Sequence, residues 1–76
     1  MDVDAYVAAH RGEWQRLEQL LGRRRLSGDE VDELIWLYQR VTTHLSVVRS
    51  ASPDPALVGR LTTLVARARA AVTGSS

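Results

Sequence analysis

Seventy-six residues make one domain and leave no room for a second, at a size where one apolar core only just offsets chain entropy. Cysteine is absent, which excludes disulfides, thiolate nucleophiles and Cys-rich zinc sites. Ten arginines without a lysine oppose nine carboxylates, and the net charge of +1 is too small to draw nucleic acid in from a distance. No run approaches the ~18 apolar residues of a bilayer span, and "MDVDAY" is acidic where a signal peptide is basic, so the chain as given is expected to be soluble.

Val3, Tyr6, Val7, His10, Trp14, Leu17 and Leu21 recur at steps of three and four and predict a first helix over about 3–24 with this stripe facing a core. Leu26-Ser27-Gly28-Asp29-Glu30-Val31 then reads as a capping box, with Ser27 at N-cap, Glu30 at N3, and Leu26 and Val31 at the staple positions. The second helix, about 28–50, carries Val31, Leu34, Ile35, Tyr38, Val41, Leu45 and Val48 on a broad face widened by Leu37. Asp54 as N-cap and Pro55 at N1 open a third helix, about 55–73, with Leu57, Leu61, Leu64, Val65, Ala68 and Val72 inward. Short connections make neighbours antiparallel, so the expected fold is all-α, an antiparallel three-helix bundle over 1–73 with 74–76 as C-terminal linker or tail.

This topology gathers the end of the first helix, the start of the second and the end of the third at one end of the bundle. Arg23, Arg24 and Arg25 then complement a helix C-terminus, while Asp29, Glu30, Asp32 and Glu33 complement the next N-terminus. Arg67 and Arg69 approach the same end. The four carboxylates do not suggest a general acid, because a helix N-terminus favours their ionised form.

Candidate chemistry is sparse. His10 and His44 fall at about one level of a hairpin pivoting near Leu26, and with no cysteine or third histidine they read as a packed pair rather than a metal site. No serine or threonine stands in a nucleophile turn, so no catalytic residue, cofactor or metal is assigned. Trp36 lies away from the core stripe, on a side shared with Arg40, Thr43 and Val47, which makes Trp36, Arg40 and Val47 the candidate partner-binding residues. Gly59, Thr63, Ala66 and Ala70 form a small-residue outer face on the third helix.

"LIWLYQRVTTHLSVVRS…PALVGRLTTLVARARAAV", through Tyr38, Leu45, Arg49, Leu57-Val58, Leu61, Leu64-Val65 and Arg67-Ala68, resembles the N-terminal, pre-membrane region of stage II sporulation protein M-like proteins. "MDVDAYVAAHRGEWQRLEQLL" and "RRRLSGDEVDEL" look like the actinobacterial branch, so the resemblance runs over nearly the whole chain. His44 stands where members outside that branch often have an acidic residue, and Arg69 where they often have His. The resemblance implies a cytosolic domain followed by several transmembrane helices, at the cytoplasmic face of the cell membrane. It would be a non-catalytic module docking a protein partner or forming a homo-oligomer, with Arg23, Arg24, Arg25, Arg67 and Arg69 membrane-proximal. The alternative, a small nucleic-acid-binding module using Arg23–Arg25, is opposed by the interleaved acids.

Overall fold

The computed structural model describes residues 2–51 and 54–74. Three helices run α1 (Val3–Leu21), α2 (Gly28–Ala51) and α3 (Pro55–Thr73), all packed antiparallel to their chain neighbours. The particle measures 37 × 22 × 16 Å, and its long axis matches the 24 residues of α2 at about 1.5 Å per residue. The expected bundle is therefore present. Ser75 and Ser76 of the expected tail lie outside the described residues.

Each helix start satisfies amides that would otherwise lack a partner. The Ala5 amide donates to the Asp2 carboxylate at 3.2 Å, and the Ala56 amide to that of Asp54 at 3.0 Å with Pro55 following. At α2 the capping box closes in both directions: the Glu30 amide donates to Ser27 Oγ at 3.2 Å, and the Ser27 amide to Glu30 Oε1 at 3.0 Å. Gly74 ends α3 at φ 68°, a left-handed conformation that costs a glycine little.

Two expectations need correction. α1 ends at Leu21, not near Arg24: Gly22, with the weakest helix propensity short of proline, takes the cap, and its amide forks to the carbonyls of Glu18 and Gln19. The arginine run is thus a connection rather than a last helical turn. The inward face of α2 is also rotated from the expected one. Leu34, Leu37, Val41, His44, Leu45 and Val48 are buried, whereas Val31 and Ile35 are 41% and 36% exposed. His44 is part of the core, and omitting a histidine from the apolar arc had shifted that arc toward Val31 and Ile35. On α1, Leu20 is buried and Leu21 only partly so.

Trp14, Leu17, Val41, Leu61 and Ala68 are fully buried and form the centre. Across the α1–α2 seam, charges alternate: Arg16 grips Glu33 through two hydrogen bonds of 2.8 and 2.9 Å, and Arg40 grips both oxygens of Glu13. Both pairs are centred close to Leu26, as an antiparallel hairpin pivoting there requires. Arg60 ties α3 to Glu18 of α1 at 2.8 Å. Exposed pairs contribute only ~0.2–1 kcal/mol each, so the core supplies stability and the pairs mainly fix register.

Ser27→Ala removes one half of the capping box and leaves an N-terminal amide of α2 without its partner. The expected loss is ~0.5–2 kcal/mol in urea unfolding, and an unchanged midpoint would mean that Ser27 does not hold the start of α2.

Candidate functional site

The polar residues of the bundle converge on the middle of the α1–α2 seam. His10, Glu13 and Trp14 reach it from α1 because steps of three and four keep them on neighbouring lines of one helical face. Arg40 and His44 meet them from α2 for the same reason. His10 and His44 do face each other, with ring centroids 4.1 Å apart and planes inclined by 30°. Tyr6 covers the pair, 4.5 Å from His10 and edge-on to His44 at 5.9 Å. His44 is 4% exposed, the one buried polar side chain among the described residues.

Trp14 Nε1 lies 2.9 Å from His44 Nδ1. An indole N–H only donates, so Nδ1 is the acceptor and the neutral imidazole carries its proton on Nε2. Burial, followed by the neighbouring His10, pushes the His44 pKa down; Glu13 opposes that shift and Arg40 adds to it. Glu13 accepts from His10 Nδ1 at 3.1 Å and from Arg40, with the Arg40 Nη2 contact at 3.1 Å. The Arg40 hydrogen bond above all, with help from His10 and against burial, lowers the Glu13 carboxyl from 4.5 to about 2. Tyr6 is pushed upward, chiefly by burial and then by the Glu13 charge.

His10, Glu13 and His44 bring three ligand-type atoms within 4.8 Å of one another. Glu13 thus supplies the third group whose absence had counted against a metal in the sequence, and the decision rests on chemistry instead. Both Glu13 oxygens hold Arg40, and His10 Nδ1 holds Glu13. His44 Nε2 becomes a lone pair only if its proton moves to Nδ1, where the Trp14 hydrogen already points. As it stands, the cluster is held by hydrogen bonds among its own members and their neighbours. Four threonine hydroxyls are likewise engaged: Thr42, Thr43, Thr62 and Thr73 donate to carbonyls four residues back at 2.7, 3.3, 2.7 and 2.9 Å.

Trp36 is 53% exposed, but it is not isolated. The Arg40 guanidinium lies 4.8 Å from its ring centroid, so Trp36 holds from outside the cation that Glu13 holds from within. Val47, further along α2, is half-buried. Trp36 and Arg40 lie on one side of α2, as their spacing implies, but Arg40 is also bound to Glu13, a partner for which an acid–base pair at matched levels of the hairpin was the available signal.

At the end of the bundle, Leu21, Leu26, Val31, Ile35, Ala71 and Val72 line an apolar groove of about 220 Å³ with Arg23 and Arg24 at its edge. That volume is below the usual range for drug-sized ligands and suits an inserted side chain. Arg23 is bonded to Glu30, while Arg24 and Arg25 have no ion-pair partner among the described residues. Arg67 and Arg69 line separate clefts, beside Glu18 and beside Leu45 respectively, and do not line this groove.

The Glu13 shift has a defined sign. Its folded carboxyl binds a proton less readily than the unfolded one, so its contribution is complete above pH 4.5 and is lost as pH falls toward about 2. Glu13→Gln is expected to flatten the acid limb of urea stability across that window, and a limb identical to wild type would contradict the Arg40–Glu13 assignment.

No helix among the described residues is long and apolar enough to cross a membrane. No curated protein and no solved structure matches the chain. Residues 4–74 match the family described as a domain of unknown function, DUF8413, and the chain belongs to that family.

Proposed function

We propose that this bundle is a non-catalytic interaction module, the cytosolic domain of a stage II sporulation protein M-like membrane protein, docking a protein partner or a second copy beside the membrane. The observation that carries this reading is the apolar groove at the end of α3, where Val31 and Ile35 remain exposed beside Arg23 and Arg24. Trp36 with Arg40 and Val47 supplies a second contact surface on the other flank of α2. Hydroxyls engaged with helix carbonyls, and a histidine pair engaged with Trp14 and Glu13, support the non-catalytic part.

In this reading the groove end faces the lipid. Arg24 and Arg25 are the uncommitted cations there, and each could gain about 1 kcal/mol near anionic headgroups. Asp29 and Asp32 lie close in sequence and offset that attraction. The expected outcome is weak, salt-sensitive sedimentation with phosphatidylserine or cardiolipin vesicles, abolished when Arg23, Arg24 and Arg25 become Gln with helicity retained. Equal partitioning onto neutral and anionic vesicles would remove the membrane-facing role.

The contact surface on α2 has its own test. Trp36→Ala should weaken self-association in analytical ultracentrifugation or partner recovery in pull-down. If neither changes, Trp36 serves only to cover Arg40.

A further inference from the structure

The middle of the α1–α2 seam holds a histidine that has no place for a second proton. On the buried His44 ring Nδ1 already accepts the Trp14 hydrogen at 2.9 Å, and Nε2 carries the ring's own. From α1, Tyr6 meets the ring edge-on, His10 stacks on it, and Glu13 adds its negative charge; from α2, Arg40 adds a fixed positive one. No charged group of α3 acts on it among the described residues.

A proton arriving at the neutral ring must take Nδ1, the remaining in-plane lone pair. It then points N–H at N–H, and the stabilising contact with Trp14 becomes repulsive. The new cation is also enclosed away from water, beside Arg40 and His10, with Glu13 as its one favourable charge. The ring therefore has to leave its site to keep the proton.

We propose that His44 is an acid-operated latch: protonation at Nδ1 breaks its hydrogen bond to Trp14 and opens the seam between α1 and α2, exposing the apolar surface around Trp14, Leu17 and Val41. An opened chain binds this proton more readily than the closed one. The closed state is thus fully favoured above the ordinary histidine value of 6.5 and loses ground as pH falls below it. The slope approaches about tenfold in the closed-to-open ratio per pH unit until the depressed folded-state value is passed. The Glu13 contribution begins to fall only below 4.5, so the His44 effect sets in first as pH is lowered.

Nitrogen–proton NMR of the two indole groups from about pH 8 to pH 5 tests the latch in the intact chain, with the exposed Trp36 as internal reference. The Trp14 signal should lose its hydrogen-bonded shift in step with His44 protonation, and its solvent exchange should stay about level below the histidine value while that of the exposed Trp36 slows about tenfold per pH unit, because base-catalysed exchange falls as fast as opening rises. His44→Asn places an amide oxygen near the Nδ1 position and cannot titrate, so its urea midpoint should stay level between pH 7.5 and 5.5 where wild type falls. Three results each overturn the proposal: a Trp14 signal unmoved while His44 titrates, wild-type pH dependence in His44→Asn, or loss of the dependence in His10→Asn alone. If His44→Asn does not fold, the wild-type indole titration decides by itself.

Discussion

The rest of the structure depends on one buried hydrogen bond, from the Trp14 indole to His44 Nδ1. Trp14 is the largest fully buried side chain, and its N–H cannot be left without an acceptor in the centre of a small domain. An unmet buried donor costs roughly 1–3 kcal/mol, a sizeable share of the stability of a chain this short. Sliding α1 by one helical turn would set the indole against Arg40 or Val48, and neither side chain can accept. Apolar burial would tolerate such a slide far better, because Leu17 or Leu20 meets Leu or Val in several registers. The polar contact therefore selects the alignment, and the apolar core supplies the free energy of holding it.

Around that bond the seam is built in layers of decreasing burial. Imidazole stacking and Tyr6 surround His44, the Arg40–Glu13 pair closes the flank, and Trp36 lies over Arg40 on the outside. Each layer restrains the next one inward: Trp36 limits the guanidinium, which fixes Glu13, which fixes His10 against His44. The arrangement explains why the most exposed tryptophan and the most buried histidine belong to one network. It also makes the seam sensitive to protonation at two of its members, His44 and Glu13, both held below their ordinary values.

Much of the architecture was legible in the residues themselves. The capping box at Ser27 and Glu30, the Asp54-Pro55 start and the pairing of His10 with His44 all follow from spacing, because helix caps and hairpin levels are local or nearly local constraints. The end of α1 was misjudged because three arginines favour a helical C-terminus while Gly22 stops the helix before them. The rotation of the α2 face was missed for a physical reason: His44 was expected to pack against His10 but was not counted in the apolar arc, and the Trp14 donor that lets it take a core position lies 30 residues away on another helix. Arg40 was placed on the outer side by periodicity, but a long side chain reaches around the helix edge to Glu13. The groove between Leu26, Val31, Ile35 and Val72 needed the three-dimensional meeting of a turn and a helix end, which no single stretch of sequence contains.

The alignment of α1 on α2 rests most directly on the protonation state of His44 in the closed bundle. Imidazole nitrogen-15 shifts at about pH 8, with a search for scalar coupling across the hydrogen bond to Trp14, measure it without altering a residue. The predicted result is a neutral His44 protonated on Nε2, with coupling between the Trp14 indole N–H and His44 Nδ1. A proton on Nδ1, or an indole coupled to no histidine nitrogen, would contradict the register argument and the cluster built on it.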